Sequence, residues 1–183
     1  MSKKPWDIRD ISPLGDGSEN TIFTAIGAAL TAWETVEVEC ARLFAVFVSA
    51  RQKRPYHAPA VRAYGSIVGA HSRCKMLQLA AEAYFARRSV KRQSFEKQFD
   101  SLMGEYDQYA NRRNEIAHGF VKKVFLTKRH RAIGLYLVPS FYNPKKYKDG
   151  GLMYLYVSGD LIHYRQEFTK LQLRIAHLVQ QLS

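Results

Sequence analysis

The last stretch of the chain carries an apolar seam whose members alternate three and four residues apart. This spacing places the side chains on one face of an α-helix, and Ser158 stands where it can cap the first turn. A helix with one apolar face must bury that face against another element. We therefore expect the seam to pack on another helix, of this chain or of a partner. The seam comprises Leu161, Tyr164, Phe168, Leu171, Ile175, Leu178 and Leu182.

Three earlier regions also have a helical period, at residues 18–50, 60–88 and 94–118. The first begins at Ser18, a residue type that favours helix starts. Gly65 and Gly69 interrupt the second region, and glycine destabilises the interior of a helix. The sequence therefore predicts two shorter helices there, giving four to five helices in all.

The period changes to two after Gly119, which is typical of strands. Apolar residues alternate around 121–125, 133–138 and 152–157, so we expect a small antiparallel β-hairpin or three-stranded sheet within residues 120–157. Residues 1–17 contain prolines and glycines without a period and predict an extended lead-in. The predicted fold is mainly α, a helical bundle with this β insertion before the C-terminal helix, in a single domain over 18–183.

Composition limits the classes of protein to consider. The 183 residues include two cysteines, Cys40 and Cys74, both within helical patterns, which favours reduced buried thiols. The N-terminus lacks the apolar core of a signal peptide, and no apolar run approaches the roughly 18 residues of a membrane span. We expect a cytoplasmic protein with no membrane contact. No glycine-rich phosphate loop, His-Glu-x-x-His motif or carboxylate cluster occurs, so no cofactor or metal is expected.

The net charge of +12 is concentrated in two blocks. Residues 51–92 hold ten Lys or Arg against one Glu, and residues 119–150 hold eight against one Asp, giving +9 and +7. Such blocks suit a polyanion, and interleaved tyrosines can stack on bases. The alternative is a set of solvated loops that keep the protein dispersed.

The third helical region ends in an unusual way. Its apolar stripe comprises Phe95, Phe99, Leu102, Met103, Tyr106 and Ala110. Continuing the stripe at helical spacing leads to Arg113, Asn114, Ala117 and His118, so three polar side chains replace apolar ones. Gly119 follows as a helix stop that tolerates the left-handed conformation.

These polar residues allow two interpretations. A histidine can act as a general acid or base near neutral pH, and an arginine can bind phosphate through two hydrogen bonds. Alternatively, Arg113 and His118 cap the helix by bonding its last carbonyls, with Asn114 uninvolved. Glu115, between them, is expected to be a solvated surface carboxylate.

A helical bundle with Arg-x4-His near the end of a long helix, and a polar residue directly after the arginine, resembles the HEPN superfamily (higher eukaryotes and prokaryotes nucleotide-binding domain). The resemblance rests on Arg113, Asn114 and His118 and on the helix order across residues 18–183. It implies a homodimer whose motif helices meet, so that two copies of the motif line one cleft. Active members are metal-independent endoribonucleases that leave 2′,3′-cyclic phosphate and 5′-hydroxyl ends.

By this resemblance the catalytic residues are Arg113, which stabilises charge on the phosphate, Asn114, which orients His118 or the phosphate, and His118, which moves the proton. Many such proteins are toxins with an antitoxin partner or act in anti-phage defence. The neighbouring basic residues are predicted to bind RNA, and Arg112 could replace Arg113 as the phosphate contact. These RNA-binding candidates are Arg112, Lys122, Lys123, Lys128, Arg129 and Arg131.

Two other functions remain open from the sequence. One is a non-catalytic HEPN-like module that binds RNA or a nucleotide. The other is a structural helical interaction protein whose C-terminal seam docks a partner.

Overall fold

The structure is mainly helical, with small antiparallel β pairings before the last helix, which confirms the predicted fold class. The computed structural model describes residues 3–49, 58–86, 90–125, 133–141, 147–148 and 151–183. Within these ranges the helices are α1 (Glu19–Val48), α2 (Ala58–Ser66), α3 (Ala70–Phe85), α4 (Val90–His118) and α5 (Ser158–Leu182). The strands are β1 (Phe120–Val124), β2 (Gly134–Val138), β3 (Tyr147–Lys148) and β4 (Gly151–Leu152).

The second helical region is broken where the glycines predicted a break. Helix α2 ends at Ser66 and α3 begins at Ala70, after Gly69. Gly69 has a φ of 89°, which is in the left-handed region that side chains other than glycine rarely adopt. The sequence and the backbone therefore agree on the position of this turn.

Strands β1 and β2 form an antiparallel hairpin in which Phe120 pairs with Val138 and Val124 pairs with Gly134. The predicted alternative of a three-stranded sheet is wrong for the described residues, because β3 pairs with β4 in a separate sheet. A single bridge joins Leu137 of β2 to Tyr156.

The predicted lead-in contacts β2. Leu14 and Asp16 make isolated bridges to Ile133 and Leu135. The backbones approach so closely at this point that a Cβ on Gly134 would lie 2.7 Å from the Cα of Gly15. Residues 14–16 are thus held by backbone hydrogen bonds to the hairpin.

The chain forms two compact units, and α1, α4 and α5 each contribute to both. The first consists of Met1–Trp33 and Asn111–Glu167, and the second of Glu34–Ala110 and Phe168–Ser183. In the first unit, Tyr136, Val138 and Leu155 form a buried cluster. In the second, the ring of Phe47 packs edge-on against the rings of Phe85 and Phe99.

A buried carboxylate joins four helices of the second unit. Glu37 of α1 accepts hydrogen bonds from the hydroxyls of Tyr64 (3.1 Å) and Tyr106 (2.7 Å) and from Nη1 of Arg73 (3.1 Å). These donors come from α2, α4 and α3. We call Glu37, Tyr64, Arg73 and Tyr106 the Glu37 cluster.

The C-terminal seam is buried within this chain. Its first six members, from Leu161 to Leu178, are each at most 1% exposed, and only Leu182 is partly exposed. The first of the two predicted alternatives, packing inside the chain, therefore holds for this seam. The prediction that Ser158 caps α5 is wrong, because its hydroxyl donates to Asp16 while Asp160 accepts the N–H of Val157.

Two further features of the described residues agree with the sequence. Cys40 and Cys74 are buried free thiols. No described helix combines the length and the apolar character that a membrane crossing needs.

Candidate active site at the end of helix α4

The last eight residues of α4 bury a different face from the rest of the helix. As predicted, Phe99, Leu102, Met103, Tyr106 and Ala110 are buried. Beyond Ala110 the buried residues are Glu115 and Ile116, whereas Asn114, Ala117 and His118 are exposed and Arg113 is half-buried. The positions that continue the apolar stripe at helical spacing are therefore not the buried ones at this end of the helix.

The change of face has a local cause. Residues 111–118 belong to the first unit, where Tyr154 and Tyr156 contact the helix at Glu115. At about 100° per residue, Arg113, Asn114, Ala117 and His118 span roughly 140° of the circumference, and Glu115 lies on the other side. The two tyrosines cover the Glu115 side, so the side bearing the motif is presented to solvent.

Glu115 is at the centre of a buried polar network and is not the solvated carboxylate that the sequence predicted. It is 3% exposed and accepts a hydrogen bond of 2.6 Å from the Tyr156 hydroxyl. Nη2 of Arg112 lies 3.0 Å from its other oxygen. We call Arg112, Glu115 and Tyr156 the Glu115 network. A carboxylate is rarely buried unless it is paired and hydrogen-bonded, and this one has both kinds of partner.

Tyr156 is held in its neutral, donating form. Burial raises the pKa of its hydroxyl well above the ordinary value, and the charge of Glu115 raises it further. Its ring stacks on Tyr154, with centroids 4.6 Å apart and the ring planes 15° apart. The pair of tyrosines thus presents a rigid surface to the end of α4.

Hydroxyl groups cap the end of α4. The Tyr154 hydroxyl donates to the carbonyl of Glu115 at 3.2 Å, and the Ser140 hydroxyl donates to the carbonyl of His118. The last carbonyls of a helix lack partners within the helix. At these two carbonyls, Tyr154 and Ser140 supply the bonds that the capping interpretation assigned to Arg113 and His118.

Gly119 ends the helix for a reason other than the predicted one. The glycines with positive φ in the described backbone are Gly69 and Gly134, so a left-handed stop at Gly119 is wrong. A Cβ on Gly119 would lie 2.8 Å from Cδ1 of Leu137 and 2.9 Å from the carbonyl oxygen of Glu115. Glycine is needed here because β2 packs directly over the chain as it leaves α4.

Of the three predicted catalytic residues, Asn114 and His118 are exposed at the end of the helix, and Arg113 is half-buried. Nη1 of Arg113 donates to Oδ1 of Asn114 at 3.3 Å. This bond joins the half-buried arginine to the exposed Asn114. The side chain of His118, the last residue of α4, is open to solvent.

The predicted RNA-binding residues fall into three groups. Lys122 and Lys123 are exposed on β1, four and five residues beyond His118, and Nζ of Lys123 is 5.7 Å from the centroid of the Phe125 ring. Arg112 is committed to Glu115, and its side chain is only 11% exposed, which favours Arg113 as the phosphate contact. Lys128, Arg129 and Arg131 lie outside the described residues.

Sequence reasoning missed Ser140, Tyr154, Tyr156 and the burial of Glu115. The alternation Tyr154-Leu155-Tyr156 was visible as a strand-like pattern, but no local signal pairs it with a helix about 40 residues earlier. Among the described residues, no group of three or more His, Cys, Asp or Glu side chains is arranged to hold a metal ion.

Comparisons with protein-family models, with curated proteins and with solved structures found no match to this chain.

Proposed function

We propose that this protein is a metal-independent endoribonuclease of the HEPN type that acts as a homodimer. The observation that carries the proposal is the end of α4, where Asn114 and His118 are exposed next to the half-buried Arg113 while Ser140 and Tyr154 cap the helix. The Asn114 and His118 side chains are open to solvent, where a ligand can reach them. The exposed Lys122 and Lys123 beside them favour a polyanion.

The proposed reaction is an internal transfer within RNA. The 2′-oxygen attacks the adjacent phosphorus, and the bond from phosphorus to the 5′-oxygen breaks, which leaves a 2′,3′-cyclic phosphate and a 5′-hydroxyl. His118 takes the proton from the 2′-hydroxyl or gives one to the departing 5′-oxygen. Arg113 stabilises the negative charge that develops on the phosphate oxygens. Asn114, which accepts a hydrogen bond from Arg113, orients that guanidinium.

A second copy of the chain completes the proposed site. Arg113 and His118 of one copy offer a single cation and a single imidazole, whereas a cleft formed by two motif helices holds two of each. The exposed side of the helix end supports this arrangement. Sedimentation velocity of the purified protein should show a dimer, and a monomer at all concentrations would contradict this part of the proposal.

The test is cleavage of mixed cellular RNA by purified protein in EDTA, with the product ends identified. Wild type should yield cyclic phosphate and 5′-hydroxyl ends, and His118→Ala should lower the rate by about 100- to 10,000-fold. His177→Ala is the matched control, because His177 is an exposed histidine on α5 outside the motif. Cleavage by His118→Ala at the wild-type rate would reject His118 as the catalyst.

The second candidate is an RNA-binding module without nuclease activity. The exposed lysines of β1 favour it, since they support binding whether or not cleavage follows. It predicts salt-sensitive RNA binding, no cleavage by wild type, and unchanged affinity in His118→Ala.

A toxin or defence role makes a separate prediction in cells. Overexpression of the wild type should arrest growth, whereas Arg113→Ala should not. Equal growth of both strains, with equal protein levels, would reject the toxin role while leaving the nuclease proposal to the assay in EDTA.

A further inference from the structure

Two exposed phenylalanines lie close to His118 along the backbone. Phe120 is 39% exposed and is two residues beyond His118, so their Cα atoms are at most about 7.6 Å apart. Phe141 is 81% exposed and directly follows Ser140, whose hydroxyl donates to the carbonyl of His118. Phe120 pairs with Val138, three residues before Phe141, so both residues lie at the hairpin end nearest the motif.

The backbone holds Phe141 in this position. Pro139 and Ser140, directly before it, are buried, and Ser140 is bonded to the end of α4. An exposed phenylalanine forgoes roughly 1.5 to 3 kcal/mol of burial free energy. Single exposed apolar side chains are ordinary on protein surfaces, but two exposed phenylalanines whose backbones lie close to one exposed histidine form a local grouping that suits a ligand with flat faces.

The surrounding charge identifies the class of ligand. Lys122 and Lys123 are exposed on the strand that begins with Phe120. Aromatic rings beside basic groups bind unpaired nucleobases, since the rings stack on the bases while the cations contact the phosphates. A protein partner with an apolar surface would contact the two phenylalanines but would leave Lys122 and Lys123 without a role.

We propose that Phe120 and Phe141 form a nucleobase-stacking subsite next to His118, with Phe141 the main contact. The subsite rests on the proposed ribonuclease function and makes it more specific: the RNA is bound with the base beside the scissile phosphate unpaired and inserted between or against these rings. Lys122 contacts the phosphate that follows.

The test measures RNA affinity in a His118→Ala background, which prevents cleavage during the measurement. The probes are a short fluorescein-labelled single-stranded RNA and the same strand with abasic riboses at its central positions. Phe141→Ala should raise the dissociation constant for the intact strand by about 5- to 100-fold, as expected for one lost base stack. It should change the dissociation constant for the abasic strand by less than about twofold.

Two variants control for other effects. Phe141→Trp keeps a stacking ring and should retain affinity for the intact strand. Phe23→Ala removes a phenylalanine of α1 that is 53% exposed and should leave both affinities unchanged. Thermal unfolding of each variant verifies that the fold is intact.

The outcomes separate the two proposals. Equal weakening of both probes by Phe141→Ala would overturn the subsite, because the loss would not depend on a base. No weakening of either would overturn it as well while leaving the ribonuclease proposal in place. Failure of the His118→Ala protein to bind either probe at low salt would reject both proposals.

Discussion

Each compact unit contains a buried carboxylate with tyrosine and arginine partners, yet the two carboxylates hold different parts of the molecule. Glu37, 7% exposed, receives hydrogen bonds from residues 27, 36 and 69 positions away, on three other helices. Glu115, 3% exposed, is bonded to Arg112 in the previous turn of its own helix and to Tyr156.

The two carboxylates have similar partners but different structural roles. The Glu37 cluster connects four helices, and none of its members belongs to the Arg-x4-His motif. The Glu115 network fixes one helix end, and the residues between and beside its members are the proposed catalytic ones. Changes to the first should therefore affect stability alone, whereas changes to the second should affect both stability and RNA chemistry.

Glu115→Ala should have the largest effect. It leaves the Arg112 guanidinium, whose side chain is only 11% exposed, without its carboxylate, and breaking a buried pair costs about 3 to 5 kcal/mol. We expect this loss in the free energy of unfolding, measured by urea denaturation, together with slower RNA cleavage at a temperature where the variant is folded. Cleavage at the wild-type rate by folded Glu115→Ala would show that the network does not position the motif.

Glu37→Ala should destabilise somewhat less, by about 2 to 4 kcal/mol, because it removes the carboxylate that accepts hydrogen bonds from two buried tyrosine hydroxyls. Arg73 is about a quarter exposed and can be hydrated instead. Urea denaturation measures the loss, and RNA cleavage by the folded variant should match wild type. A fall in cleavage as large as that of Glu115→Ala would erase the distinction between the two carboxylates.

Two glycines on or next to α4 extend the comparison to the backbone. Gly119→Ala places a Cβ within 2.9 Å of Leu137 and of the Glu115 carbonyl, and such overpacking should cost about 1 to 3 kcal/mol. Gly104→Ala meets nothing within 4 Å and should stabilise α4 by about 0.5 to 1 kcal/mol. Thermal unfolding midpoints should therefore move in opposite directions, and a shared sign would contradict the packing described at Gly119.

The last comparison concerns alkaline pH. Burial raises the pKa values of Tyr64, Tyr106 and Tyr156 in the folded chain. Above about pH 10 the unfolded chain loses these protons while the folded chain keeps them, so stability falls as pH rises, by about 1 kcal/mol per pH unit for each tyrosine. Phenylalanine has no proton to lose, so each Tyr→Phe change removes one contribution to this fall. The double variant Tyr64→Phe with Tyr106→Phe should therefore lose less stability per pH unit than Tyr156→Phe. Equal slopes in urea denaturation at pH 9 to 11 would contradict this.

The sequence determined the helices, because apolar residues three and four apart define a buried face wherever they occur. It predicted the break at Gly69, and it predicted an apolar seam from Leu161 without deciding between this chain and a partner as the surface that covers it. It also predicted β structure after Gly119 as either a hairpin or a three-stranded sheet, of which the structure has the hairpin. It also singled out Arg113, Asn114 and His118 as polar residues where a stripe of apolar ones was due. Each of these signals is local and can be read within one or two turns of helix.

Only the tertiary structure decided which side of the helix end is buried. Helical periodicity predicts that the same face stays buried along the whole helix. At the end of α4, however, Tyr154 and Tyr156 cover another face and bury Glu115 there. The same contacts turn Asn114 and His118 to solvent and pair Arg112 internally. A carboxylate is buried when its partners arrive from elsewhere in the chain, and the spacing of residues along one helix contains no information about those partners.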